Sequence, residues 1–502
     1  MVKIAKKALV CFLLITGVLA TCYCIQKYNS IYHTIGHYPS GLNITFYDDQ
    51  FSRGFSWWTK ASKESETKLY LSEEPISEAD LAEASICMGD IENDSIDGIY
   101  LIEGELETVP DTTRWGRMFS IEYYNHTVSV KGLVCNQQYY YAIGGSGQYC
   151  YGEFQTESDA KTTIVNFNDF QTSDGSQLFR GGQTLNAALA IAETNVDFFA
   201  FGGDFTSTFS IENQSYNRYL GWIKSRDSLS EYVNSTPLVM APGNHDAADG
   251  LFTSNNTILY DGCSDNGGYY SFDHNNVHFI TLNSNDFCQI QYNWLREDLK
   301  SANTNKKITW IILMIHKGPY TTGDHGLSMK ENFVKDLAHL CSTYRVDLVL
   351  QAHDHTYSKT LPYLWNSVGV TNSETDHTVI NDSVTTVTKN NVVFDLNPGG
   401  TYYISCGASG HRVGENTDYA LPYGEKSFRN RQYKVVASEI KVDSVYADIG
   451  DTASMDVGHG MFGTIVIDRK LLVYEFFVVD DNGLPVLFDR LAISKENIDI
   501  KQ

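Results

Sequence analysis

The stretch Asp197-Phe198-Phe199-Ala200-Phe201-Gly202-Gly203-Asp204 reads as a fully apolar strand that stops at a glycine pair and a carboxylate. A short apolar run bounded by turn residues is the pattern of a strand buried on both faces. The same grammar recurs on either side. Thr163 to Asn168 is a buried strand followed by Asp169, and Pro237 to Ala241 is a short strand followed by Gly243-Asn244-His245-Asp246. Ile311-Ile312-Leu313-Met314-Ile315 runs into His316, and Leu348-Val349-Leu350-Gln351-Ala352 runs into His353-Asp354-His355. Helices are expected at Thr184 to Glu193, Tyr216 to Tyr232, Ile290 to Lys300 and Asn332 to Tyr344. Strands return at Thr401 to Ile404, Tyr433 to Ile440, Phe462 to Ile467 and Leu472 to Val479. This rhythm predicts an α/β layer fold in which loops at the carboxyl ends of strands converge on one crevice.

A lone Gly-Asp is ordinarily a turn, and a lone strand-terminal His is ordinarily structural. Five such elements in series, each at a predicted strand end, instead place carboxylate, amide oxygen and imidazole together. That inventory suits divalent manganese, zinc or iron. A single-zinc protease is a poorer reading, since the sequence has no His-Glu-x-x-His helix.

With 502 residues the chain has room for two or three folding units. A formal charge of -24 argues against a general nucleic-acid backbone binder, but bound cations can reverse the local potential around an anionic substrate. Lys3, Lys6 and Lys7 precede an apolar run from Ala8 to Ala20, so 1–24 reads as a signal peptide or N-terminal membrane anchor. Residues 25–40 form a linker. The alternating aromatic and β-branched pattern of 41–157, with separate strands expected at Phe119 to Tyr124 and Thr127 to Val130, predicts a β-sandwich whose tryptophans pack its core. The α/β unit is expected over 158–492, with 367–391 as a hairpin or insertion and 493–502 as a tail. Export permits disulfides, and Cys135 with Cys150 and Cys263 with Cys288 are the expected local pairs. Sequons at Asn43, Asn93, Asn125, Asn213, Asn234, Asn255 and Asn381 are candidate glycan sites.

The series Asp169, Gly203-Asp204, Gly243-Asn244-His245-Asp246, His316 and His353-x-His355-x-Tyr357 resembles the calcineurin-like metallophosphoesterase superfamily, and within it the purple acid phosphatase-like branch. The resemblance covers roughly Lys161 to Val479. The upstream Gly54-Phe55-Ser56-Trp57 and Val130 to Tyr141 stretches resemble the fibronectin type III-like domain that precedes this unit. The implied fold class is α/β: a four-layer β-sandwich flanked by helices, preceded by an all-β fibronectin type III-like domain.

The resemblance also implies two metal ions, divalent or mixed-valence, drawn from Mn, Zn and Fe. Asp204 would bridge them, with Asp169 and His355 on one and Asn244, His316 and His353 on the other. His245 would be catalytic, facing the substrate phosphate, while Asp246 would orient His245 or its loop. Lys317, His325, Tyr357 and His411 are candidate substrate contacts. The chain departs from the pattern at Ser207, where the branch places a metal-bound Tyr, and at Gln171, where other members place His. Gln171 would supply an amide oxygen or leave its place to water. Lys317 stands where many relatives carry a second His, and Ala352 replaces a Gly.

The implied reaction is hydrolysis of phosphate monoesters by metal-activated hydroxide. Phosphodiester or nucleotide hydrolysis is the nearest alternative, and a catalytically impaired extracellular binding or adhesion protein is a different class of reading. The expected substrate is a phosphorylated small molecule or phosphoprotein, with no obligate protein partner. The expected location is secreted, at the cell surface, or in a secretory or digestive compartment.

Overall fold

The computed structural model of the chain describes residues 37–61, 65–91, 96–110, 122–156, 161–171, 175–192, 196–205, 234–246, 251–320, 331–355, 357–365, 378–380, 384–410, 442–444, 460–480 and 482–496. The expected export or anchor segment 1–24, the expected helix at 216–232 and the expected strand at 433–440 lie outside the described residues.

Two sheets make up the N-terminal unit. One orders Ser40–Thr45, Arg53–Lys60, Glu122–Val130 and Glu105–Pro110. The other orders Ser85–Cys87, Tyr100–Glu103, Lys68–Ser72, Gln138–Gly145 and Gln148–Gln155. Their inward side chains, among them Ile44, Phe55, Trp57, Leu69, Tyr139 and Phe154, form one buried cluster. Where the sequence predicts two strands, Glu122–Val130 is continuous and pairs with Arg53–Lys60 over its length. The reason lies in His126, whose buried ring stacks on Trp57 at 5.1 Å between the hydroxyls of Thr59 and Thr67. Burial pushes its pKa down to about 4, so it behaves as a neutral core residue.

The larger unit is built on two eight-stranded sheets. The first contains the parallel strands Thr162–Phe167, Phe198–Phe201 and Leu238–Met240, extended by Met461–Asp468, Leu471–Val479 and Pro485–Ser494. The second contains the parallel strands Val277–Leu282, Trp310–Lys317, Leu348–Ala352 and Tyr402–Cys406. Period-two alternation assigns each side chain to a layer. Ile164 and Ile312 enter the core shared by the two sheets. Val165 faces a cluster with Leu185 and Leu189 of helix Gly175–Ala192, while Ile311 and Leu313 face Leu295 of Gln289–Thr304 and Leu337 of Glu331–Tyr344. The order is therefore helix, sheet, sheet, helix. Because both faces of these strands are covered, they read as continuous apolar runs. Within 367–391, Thr378–Ile380 pairs with Tyr363–Trp365, and Thr385–Lys389 forms a hairpin with Val392–Leu396.

A polar knot joins the units. Asn43 Nδ2 donates to the Asn255 carbonyl at 2.9 Å and to Asn256 Oδ1 at 2.7 Å, Ser56 Oγ donates to the same Asn255 carbonyl, and Trp58 Nε1 donates to Asn255 Oδ1 at 2.8 Å. Asn125 Nδ2 donates to the Ser254 carbonyl. Asn43, Asn125 and Asn255 are all buried, so three expected glycan sites are closed. At Asn43 and Asn125 the nitrogen a glycan would need is itself the hydrogen-bond donor.

Two further expectations are corrected. No disulfide joins Cys135 to Cys150 or Cys263 to Cys288 among the described residues. The hairpin register sets Cys150 opposite Ile143, eight residues along the chain from Cys135, which is out of reach of a sulfur bridge. A membrane span is likewise unsupported, since no helix among the described residues is long and apolar enough to cross a membrane.

Candidate metal centre

The predicted ligands gather at the carboxyl ends of parallel strands, but from two facing sheets instead of one. Asp169, Asp204 and Asn244 leave the first sheet, while His316, His353 and His355 leave the second. The chain turns sharply there: Asp169, Gln171, Asp204 and His353 all have positive φ, between 44° and 70°. Left-handed backbone at non-glycine residues costs energy and collects at functional sites. Two glycines make the approach possible. A Cβ on Gly203, whose φ is +102°, would lie 2.7 Å from His316 Nδ1, and one on Gly243 would collide with Asp204.

Asp204, His316 and His353 present ligand atoms within 4.8 Å of one another. His316 is fully buried and its Nδ1 donates to the Gly202 carbonyl at 2.9 Å. That bond turns Nε2 toward Asn244 Oδ1 at 3.0 Å and Asp204 Oδ2 at 3.3 Å. Three acceptor-type atoms therefore converge on one small volume, which only a proton or a cation can hold together. In the chain alone a proton does so: burial disfavours charge on His316, but Asp204 overrides it and raises the imidazole pKa. Burial likewise opposes ionisation of Asp204, yet His316 and His245 keep its carboxyl well below the usual range. The donor set thus fits a divalent ion that replaces the proton.

Next to this group, His355 Nε2 lies 3.3 Å from Asp169 Oδ1, and the His353 backbone N–H donates to Asp169 Oδ2 at 3.2 Å. Asp169 is fully buried and its Oδ1 has no hydrogen bond despite that near contact. A buried carboxylate oxygen without a hydrogen bond calls for a partner, and a cation is one kind that meets the need. Gln171 does not offer its oxygen here. Its Nε2 donates to Asp204 Oδ2 at 3.1 Å. His245 Nε2 stands 3.8 Å from Asp204 Oδ2, with its backbone N–H on Oδ1 at 2.8 Å. Asp246 is buried and accepts the Gly243 N–H at 3.0 Å, which fixes the turn carrying Asn244 and His245.

The substrate-contact expectations divide. Tyr357 is corrected: it is buried in the inter-sheet core, stacks on Phe476 at 3.9 Å and donates to Asp489. Lys317 is half-buried beside His316; burial lowers its pKa, with Asp204 opposing. Ser207, His325 and His411 lie outside the described residues. Sequence reasoning missed the supports. Asn168 donates to the Gln351 carbonyl and takes its backbone partner from Ser409 Oγ, tying the two sheets together behind the site. Asn285 donates to the Gly243 carbonyl at 3.0 Å. Only the Asn-Asp junction after the first strand hinted at any of this.

Residues 162–357 match the family model described as calcineurin-like phosphoesterase. Purple acid phosphatase 21 of Arabidopsis thaliana is 23% identical over 332 residues, covering 62% of this chain and 65% of that protein. Purple acid phosphatase 22 of the same plant is 27% identical over 251 residues, covering 47% and 53%. Acid phosphatase type 7 of Homo sapiens is 25% identical over 268 residues, covering 48% and 57%. The matches thus span from about half to just under two thirds of these relatives' lengths. A solved purple acid phosphatase from yellow lupin seeds superposes with a TM-score of 0.59 at 15% identity, covering 92% of this chain and 75% of that one, which shows a shared fold.

Proposed function

The segment 162–357 is a member of the calcineurin-like metallophosphoesterase superfamily, with purple acid phosphatases among the chain's homologues, and from that premise we propose a metal-dependent hydrolase of phosphate monoesters. The observation that carries the reading is the convergence of Asp204 Oδ2, Asn244 Oδ1 and His316 Nε2, with His353 alongside. These four residues would hold one divalent ion, of manganese, zinc or iron type, and Asp169, His355 and the shared Asp204 a second. Bound there, such ions supply Lewis-acid polarisation of a phosphate and a water made nucleophilic near neutral pH.

The remaining work belongs to side chains. His245 is partly exposed, with Nε2 3.8 Å from Asp204 Oδ2 and its backbone N–H tied to Asp204 Oδ1. It is suited to stabilise charge on the phosphate or to protonate the leaving group. Lys317 adds a half-buried positive charge that favours a dianionic monoester over a monoanionic diester. The sheet orders of the N-terminal unit support a fibronectin type III-like sandwich, which braces the segment following the Asn244 turn. The substrate is a phosphorylated small molecule or phosphoprotein met in a secreted or digestive setting.

The test is a turnover screen of the full chain on simple phosphomonoesters, phosphodiesters and nucleotides, after reconstitution with manganese, zinc or iron. Chelator-sensitive monoester hydrolysis, abolished by Asn244→Ala, is expected. Preference for diesters would transfer the reading to a phosphodiesterase, and absence of turnover with every metal would sink it.

A further inference from the structure

The strand that delivers Asn244 is weakly held by its own sheet. Leu238–Met240 is three residues long and forms the sheet edge, paired on one side with Phe198–Phe201. The N-terminal unit reaches this edge, where its strand Ser40–Thr45 lies against Leu238–Met240. That unit also fixes the chain on both sides of the strand and its turn. Upstream, Tyr141 Oη donates to the Asn234 carbonyl at 2.8 Å. Downstream, Leu251–Asn255 is a five-residue helix, too short to be stable alone, and the last carbonyls of any helix lack a partner within it. Side chains of the sandwich supply the missing donors: Asn125 to the Ser254 carbonyl, and Asn43 at 2.9 Å and Ser56 at 2.6 Å to that of Asn255. Thr45 Oγ1 then donates to the Thr257 carbonyl at 2.6 Å, and the Leu259 N–H donates to the Tyr47 carbonyl at 2.6 Å. Phe252 of the same helix is buried in one cluster with Leu238 and Met240, so the capped helix rests on the strand.

We propose that the N-terminal sandwich positions the metal-holding turn: Tyr141 on one side, and Asn43, Thr45 and Ser56 on the other, fix the path that sets Asn244 and His245 against Asp204. This rests on the metal-dependent reading above. The four act on the site through the backbone they hold, so they are positioning residues. The turn itself is stiff, since Asp246 accepts the Gly243 N–H, the His245 N–H donates to Asp204 Oδ1 and Asn244 Oδ1 meets His316 at 3.0 Å. A stiff turn carried on a short edge strand moves with that strand. A buried carbonyl that loses its donor is costly, and the segment relieves the cost by shifting toward another partner. That shift reaches the Asn244 amide through Phe252, Leu238 and Met240. Couplings carried through packed networks of this kind change affinity by about 2- to 30-fold.

The experiment is a manganese titration of the metal-free full chain, with kcat and KM measured on a phosphomonoester, for wild type, Thr45→Val, Ser56→Ala, Thr45→Ser and Ile102→Val. Thr45→Val and Ser56→Ala each remove one donor at nearly constant shape, and either decides the matter if the other fails to fold. Thr45→Ser keeps the donor. Ile102→Val loosens the sandwich core two strands away from Tyr141 and controls for stability. At a temperature where circular dichroism shows every variant folded, the two donor variants are expected to lose manganese affinity by that factor, with kcat falling and KM little changed. Thr45→Ser and Ile102→Val are expected to bind as wild type does. Wild-type affinity in both donor variants, or an equal loss in Ile102→Val, would overturn the positioning role and leave the metal-dependent reading standing. A wild type that takes up no metal would overturn both.

Discussion

Gly243 and Asp204 touch so closely that no side chain fits at position 243: a Cβ there would lie 2.0 Å from the Asp204 backbone nitrogen and 2.2 Å from its Oδ1. Gly243→Ala must push the Asp204 carboxylate out of register. Misplacement by about 1 Å costs on the order of 100-fold in rate. We expect that loss in kcat/KM with reduced bound metal and near-native circular dichroism; unchanged metal content would refute the coupling.

His245 and Asn244 are adjacent, and the proposed function gives them different work. His245→Asn is expected to keep the metal and lower kcat by about 10²- to 10⁴-fold, whereas Asn244→Ala is expected to lose metal as well. Elemental analysis beside steady-state kinetics separates them. Equal metal loss in both variants would remove His245 from its substrate-facing role.

The Asn255 knot carries a prediction about stability and one about modification. Asn255→Ala strands the buried Trp58 N–H and is expected to cost about 1–3 kcal/mol in denaturant unfolding. Peptide mass mapping of active protein from a glycosylating host should find Asn43 and Asn125 bare. A glycan on either residue in active protein would show that the units need not dock.

His278 is gripped from both sides, Nδ1 by Asp273 at 2.6 Å and Nε2 by Asp298 at 2.9 Å, with the exposed Asp261 near Asp298. Burial opposes its charge, but the two carboxylates win and raise its pKa from 6.5 to about 9. A raised folded-state pKa means the contribution is complete below about pH 6.5 and disappears as pH rises through about 9. Melting temperature should fall over that window, and His278→Gln should flatten the fall.

Thiol reactivity tests the cysteine assignment. Cys263 and Cys288 are exposed, whereas Cys341 and Cys406 are buried with pKa values pushed up to about 12. A thiol-directed probe should label the first two in the native protein and the last two only on unfolding. Protection of Cys263 and Cys288 until a reductant is added would restore the pairing that the structure removes.

The strand-end ligands were legible because burial and catalysis leave opposite marks on a sequence. A strand covered on both faces must be apolar throughout, so the first polar residues after it, Asp169, Asp204, Asn244, His316 and His353, stand out where the chain leaves the sheet. The sandwich was legible for the same reason of periodicity, yet the expected strands Phe119 to Tyr124 and Thr127 to Val130 left Asn125-His126 out. Nothing local reveals that His126 finds two hydroxyls and an indole waiting for it in the core.

By itself, then, the sequence determined the layered α/β region, the upstream sandwich and the identity of the residues that end the strands, since these follow from backbone period and side-chain polarity. Only the tertiary structure decided that the ligands come from two sheets, that Tyr357 packs away from the site, that Asn255 is a knot and not a glycan site, and which end of the Gln171 amide meets Asp204. Those are relations between groups distant in the chain, set by packing and hydrogen-bond geometry that no single stretch of residues contains.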